Sequence, residues 1–146
     1  MPPQQPKKIL LVEDETFIAD LYSYELQKSG FSIKVANDGV TGLKILETEP
    51  FDLLLLDIML PGMNGLELLR EWRGKNPDSK MIVLLLTNLG QDAVIKEGFT
   101  LGAQGYLIKA SYTPEQIVAE IKNALDGKPT NNPPPSSAPN PNKIWF

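Results

Sequence analysis

Five short apolar runs punctuate the chain, and each is followed by a stretch of helical spacing. The runs are Lys8-Ile9-Leu10-Leu11-Val12, Phe31 to Ala36, Leu53-Leu54-Leu55-Leu56, Lys80 to Leu86 and Gly105-Tyr106-Leu107-Ile108. A continuous run of this length bounded by turn residues fits a strand buried on both faces, while Phe31 to Ala36 instead alternates enough for a strand. After the first run, Ile18, Leu21, Tyr22 and Leu26 fall at helical spacing until Ser29-Gly30 stops them. Asn37-Asp38-Gly39 then makes a turn and cap, and Val40, Leu43 and Leu46 mark a second helix that ends before Pro50. A third helix, from about 66 to 73, turns Leu66, Leu69 and Trp72 inward, with Asn64-Gly65 before it as a turn. A fourth runs from 91 to about 100, with a thin apolar stripe interrupted by Gly98. Thr113-Pro114-Glu115 opens the last helix with proline at its first position, Ile117, Ile121 and Leu125 line one face, and Gly127 ends it. Strands alternating with helices imply βαβ units. The predicted fold is therefore α/β, a doubly wound (βα)5 arrangement with a five-stranded parallel sheet and helices on both faces.

The two ends break this pattern. Residues 1–6 hold three prolines and read as a disordered lead, and 128–146, rich in Pro, Asn and Ser, read as a flexible tail tipped by Ile144-Trp145-Phe146. One domain over 7–127 is expected between them, and 146 residues suffice for a sizeable core. The net charge of −4 and the lack of a basic stripe argue against direct contact with nucleic acid. No stretch reaches membrane-spanning length, and Met1 to Lys8 lacks the apolar segment of a secretory signal, so a cytoplasmic location is expected. The chain has no cysteine and no histidine. That removes disulfides, cysteine-based zinc sites and the commonest general base together. Any chemistry must use carboxylates, Lys, hydroxyls or a metal held by oxygen.

Such groups stand where the apolar runs stop. Glu13 and Asp14 follow the first run, Asp57 the third, Thr87 the fourth and Lys109 the fifth. In a parallel sheet these ends share one edge, the edge at which open α/β sheets bind ligands. Glu13-Asp14-Glu15 taken alone reads equally well as an acidic cluster at a helix N-terminus. Clustered with Asp57 and Lys109, it reads as a site. Carboxylates that close repel and call for a cation. An all-oxygen site with few protein ligands suits Mg2+, which keeps several waters and prefers to share carboxylates with a phosphate. Asp57 is the candidate nucleophile for a phosphoryl group, with Lys109 screening charge and Thr87 donating to a phosphoryl oxygen.

The acidic pair, the Asp in the context Asp57-x-x-x-Pro61-Gly62-Met63-x-Gly65, the Thr and the Lys together resemble the receiver domain of bacterial two-component response regulators, in the stand-alone, chemotaxis-regulator-like form. The likeness covers roughly residues 7–127. It implies a flavodoxin-like receiver fold with strand order 2-1-3-4-5. It also implies that Asp57 accepts phosphate from a partner histidine kinase or phosphotransfer protein. Mg2+ would be held by Glu13, Asp14, Asp57 and the backbone carbonyl of Met59. Thr87 and Lys109 would contact the phosphoryl group, and Tyr106 would be the switch aromatic that turns inward when Thr87 moves. Such a chain is no enzyme beyond its own phosphorylation and dephosphorylation. It would act as a monomer or a phosphorylation-dependent dimer that shows a switched face to a downstream protein.

This sequence departs from the family pattern in places. Asn88 stands where a small residue usually follows the Thr, and Ala110 where a cis proline commonly follows the Lys; a cis bond before Ala110 would cost about 2.5–4 kcal/mol. Met59 and Leu89, two residues past Asp57 and Thr87, are apolar and cannot orient a hydrolytic water, so slow loss of phosphate is expected. The rival reading is a phosphorylation-independent binding module on the same fold, a pseudo-receiver. A haloacid-dehalogenase-type phosphohydrolase would need a second Asp at Met59, and the acidic loop after the first strand would repel a flavin phosphate.

Overall fold

The structure is a computed structural model that describes residues 5–88 and 92–128. The expected tail beyond Lys128, most of the expected lead, Leu89 and the expected first residue of the fourth helix, Gln91, lie outside the described residues. The chain alternates β1 (Lys8–Val12), α1 (Thr16–Lys28), β2 (Ser32–Ala36), α2 (Gly39–Thr48), β3 (Leu53–Asp57), α3 (Gly65–Lys75), β4 (Ile82–Thr87), α4 (Asp92–Thr100), β5 (Gly105–Ile108), a short 3-10 turn (Lys109–Ser111) and α5 (Pro114–Leu125). All strand pairs are parallel, in the order β2-β1-β3-β4-β5.

The strand sequences explain the layering. Successive side chains on a strand point to opposite faces. Leu10, Val12, Leu54, Leu56, Val83, Leu85, Tyr106 and Ile108 pack with α2, α3 and α4. Ile9, Leu11, Leu53, Leu55, Leu84, Leu86 and Leu107 pack with α1 and α5. Covering both faces is what requires unbroken apolar runs in β1, β3 and β4. The edge strand β2 leaves Ser32 and Lys34 exposed and so alternates.

Local chemistry sets the helix starts. Asp38 caps α2 by accepting from the Thr41 N–H at 2.8 Å. Thr113 and Gln116 form a reciprocal capping box ahead of Pro114 on α5. Asn64 caps α3, accepting from the Glu67 N–H at 2.9 Å. That corrects the sequence reading of Asn64-Gly65 as a turn: Gly65 is the first residue of α3. A Cβ there would stand 2.3 Å from the Asp57 carbonyl oxygen, so only glycine lets the helix begin so close to the end of β3. Two positions at helical spacing do not face the core, since Leu21 is 38% exposed and Val40 47%. Fold-level packing settles which side of a helix is inside, and spacing alone does not. β4 starts at Ile82 rather than Lys80, and α3 runs on to Lys75.

Candidate functional site

Register brings the strand ends together. Val12 lies opposite Leu56, Asp57 opposite Leu86 and Thr87 opposite Ile108. Glu13, Asp57, Thr87 and Lys109, each at or just past a strand end, therefore reach one edge of the sheet, and all four are buried. Backbone bonds continue past the strands and hold the edge in place. The Glu13 N–H donates to the Ala36 carbonyl at 3.0 Å, and the Ile58 N–H to the Leu86 carbonyl at 3.0 Å.

Lys109 sits at the centre of the cluster. Its Nζ donates to Glu13 Oε1 at 2.7 Å and Oε2 at 2.9 Å, and to Asp57 Oδ2 at 2.9 Å. The other oxygen of Asp57, Oδ1, accepts from the Met59 backbone N–H at 2.9 Å. Both Asp57 oxygens are thus fixed, which presents the carboxylate in one orientation. One carboxylate oxygen from each of Glu13, Asp14 and Asp57 falls within 4.8 Å of the others. Asp14 is half-buried while the other two are enclosed. This is a hard, all-oxygen donor set with one open side, the kind that suits a small divalent cation retaining its waters.

The charges perturb one another. Burial first, then the neighbouring Asp57, raises the Glu13 carboxyl to about 8 against the pull of Lys109. Burial draws the Lys109 ammonium down, but its bonds to Glu13 and Asp57 outweigh that and leave it above its ordinary value. The Tyr22 hydroxyl is raised chiefly by burial. With its carboxyl raised to about 8, Glu13 keeps its proton near neutral pH, and a cation bound among the carboxylates would favour the ionised form.

The chain matches the response regulator receiver domain family over residues 9–122. It belongs to that family. Receiver domains are the signalling phosphoacceptors of two-component systems rather than enzymes of the ordinary kind. This receiver is similar to the regulatory protein VanRc of Enterococcus gallinarum, 39% identical over 119 residues that make up 82% of this chain and 50% of the relative. It is also similar to the alkaline phosphatase synthesis transcriptional regulatory protein PhoP of Bacillus subtilis, 37% identical over 119 residues, 82% of this chain and 48% of the relative. The chain spans about half the length of the curated relatives it matches. Among solved structures, a CheY-like receiver domain protein from Methanospirillum hungatei superposes with a TM-score of 0.77 at 32% identity, covering 84% of this chain and 95% of the other. The chemotaxis protein CheY4 of Vibrio cholerae gives 0.75 at 28% identity, covering 81% and 98%.

The remaining candidate residues of the receiver take varied positions. Thr87 is 4% exposed at the end of β4, and Met59 is 58% exposed on the loop beside Asp57. Tyr106 is enclosed, its ring meeting Phe99 of α4 edge-on at 6.3 Å, and burial pushes its hydroxyl up to about 12. Asn88 is exposed. Ala110 follows Lys109 in the 3-10 turn, and no cis peptide occurs among the described residues. One contact escaped the sequence reading. Asn37 Nδ2 donates to the Glu13 backbone carbonyl at 3.1 Å and so ties the turn after β2 to the acidic loop. Its only trace in sequence is a turn-forming Asn-Asp-Gly triplet, which gives no hint of the distant partner. Among the described residues no helix is long and apolar enough to cross a membrane.

Proposed function

We propose that Asp57 is the phosphoacceptor of this receiver, taking its phosphoryl group from the phosphohistidine of a partner kinase or phosphotransfer protein. The observation that carries the reading is Lys109, buried and bonded to both Glu13 and Asp57 beside three converging carboxylates. These 146 residues contain no histidine, so the phosphohistidine lies outside them. An Asp57 carboxylate oxygen bonds to phosphorus as the phosphorus–nitrogen bond breaks. The departing imidazole keeps the electron pair, and the product is an acyl phosphate.

Glu13, Asp14 and Asp57, with the Met59 backbone carbonyl, are the groups that would hold Mg2+. When bound, it supplies charge neutralisation and a template for phosphoryl oxygens. Lys109 holds the pocket together before transfer and then donates to the phosphoryl group, and Thr87 donates a further hydrogen bond. Phosphorylation adds about −1.5 to −2 charges at the end of β3, next to the end of β4. Thr87 and Tyr106 relay that charge in this reading to the surface formed by α4 and β5, which a downstream protein reads. Met59 beside Asp57 offers no hydrogen bond to an attacking water, so the acyl phosphate is lost slowly.

The test is phosphotransfer from a panel of histidine kinases in Mg2+. Label is expected on the wild-type chain, and Asp57→Asn abolishes it; label persisting in that variant moves the acceptor elsewhere. Two features favour a phosphorylation-independent module instead: Asn88 follows Thr87, and Ala110 follows Lys109 in a trans peptide. Fluoroberyllate with Mg2+ separates the two, since a pseudo-receiver shows no change in melting temperature or tyrosine and tryptophan emission.

A further inference from the structure

Strands β3 and β4 are parallel, so the segments that enter them meet at the amino edge of the sheet, opposite Asp57. There the C-terminal ends of α2 and α3 enclose a cavity of about 370 Å³. Its floor is apolar. Leu46, Trp72 and Met81 are buried, and Phe51 packs against the same cluster.

The walls, by contrast, are rich in acceptors. Pro50 has no N–H, so the Leu46 carbonyl four residues back has no helical partner. Glu49 leaves the helix in an extended conformation, and its N–H goes to the Ile45 carbonyl. Among the described residues no N–H reaches the carbonyls of Leu46, Glu47 or Thr48. A helix carries partial negative charge at this end, and α2 has no basic residue in its last turn to offset it. Glu47 and Glu49 add carboxylates. Glu49 is engaged by Lys8 and Lys34, but the Lys75 ammonium stands 3.6 Å from Glu47, too far for a hydrogen bond. Asn76 spends its Nδ2 on the Trp72 carbonyl at 2.9 Å, which leaves its Oδ1 to accept. The Thr48 hydroxyl donates to the Ile45 carbonyl at 3.0 Å. The chain's own cations show what the aromatic part attracts. Lys8 Nζ lies 5.0 Å from the centre of the Phe51 ring, and the Arg73 guanidinium 5.2 Å from that of Trp72.

Acceptors in excess call for a ligand rich in N–H groups, and an apolar floor calls for one with an apolar body. A planar guanidinium or amidinium on an apolar stem meets both conditions. It holds several N–H donors in fixed directions and is more weakly hydrated than an ammonium. We propose that this cavity binds a small guanidinium or amidinium compound, its cationic end on the α2 carbonyls and Glu47 and its apolar body against Trp72 and Met81. The site lies across the sheet from the acidic pocket, and the inference does not depend on phosphorylation.

Benzamidine is the probe, followed by amide and indole NMR of the full chain with Mg2+ and again with a chelator. Saturable shifts are expected at Glu47, Thr48, Asn76 and the Trp72 indole, which Trp145→Phe tells apart from the other tryptophan. Their size is the same under both conditions. Benzamide, the neutral isostere, binds several-fold more weakly, and benzoate, with no N–H and the opposite charge, does not bind over the same range. Glu47→Gln weakens benzamidine several-fold; Glu47 is exposed, so the variant keeps its fold, which urea unfolding checks. Glu47→Arg tethers a guanidinium at the site and abolishes binding of the probe. Benzoate binding as well as benzamidine, an affinity unchanged in Glu47→Gln, or a Trp72 indole that stays in place up to tens of millimolar would each overturn the proposal. So would shifts confined to Glu13, Asp14 and Met59 and lost with Mg2+, which mark the acidic pocket as the occupied site.

Discussion

The interior of the sheet and its carboxyl edge differ by a single step along the chain. Leu53 to Leu56 are fully enclosed by apolar neighbours from both helical layers. Asp57, next in β3 and buried almost as deeply, is surrounded by Glu13, Lys109 and a backbone N–H. The first arrangement lowers the free energy of the fold. The second gathers charges that stabilise it poorly, because taking ions out of water costs about as much as their pairing returns. Stability and chemistry are thus assigned to adjacent positions of one strand, and the edge tolerates its charges because the interior behind it is well packed.

The contrast can be broken most forcefully from the interior. Leu55→Ala is expected to cost about 2–5 kcal/mol in urea unfolding while leaving the charged edge intact. A loss under 1 kcal/mol would show that β3 is not the support for the site. At the edge, Lys109→Met leaves Glu13 and Asp57 without their shared donor and is expected to cost about 1–3 kcal/mol in the presence of a chelator. Saturating Mg2+ recovers much of that loss, because the cation takes over the neutralising role. A melting temperature equally low with and without Mg2+ would argue against a cation site there.

The pH dependence sharpens the same point. Glu13 ionises near 4.5 in the unfolded chain and near 8 in the metal-free fold. The stability it contributes is fully present below the first value and is lost as pH rises through the second. Mg2+ requires the carboxylate, so its affinity climbs across that window, by up to about tenfold per pH unit below 8. Calorimetric titrations at several pH values check this, and an affinity that falls with rising pH contradicts it. The smallest effect is kinetic. Met59→Asn supplies a hydrogen-bonding group beside Asp57 and is expected to speed loss of the phosphoryl group several-fold, followed as decay of label, with little change in unfolding.

Much of this was legible before the structure. β1 and β5 fall where their apolar runs place them, and Asp38, Thr113 and Pro114 open their helices through local capping chemistry. Other features were not legible. Leu21 is the more apolar of two neighbours, yet it is exposed while Tyr22 is buried, because α5 and the sheet cover only one side of α1. Asn64-Gly65 has the composition of a turn and serves as a helix start, because the Asp57 carbonyl leaves no room for a Cβ. The tie from Asn37 to Glu13 joins residues 24 apart and has no local signature.

The amino-acid sequence by itself determined the strand–helix alternation and the positions at which apolar runs give way to acids, hydroxyl and amine. Those are properties of short windows, set by periodicity and residue chemistry. Only the tertiary structure decided that Lys109 lies between Glu13 and Asp57, that both oxygens of Asp57 are held, and that α1 keeps a second apolar face exposed. These depend on strand register and on which helix covers which face, and both are outcomes of packing distant segments together.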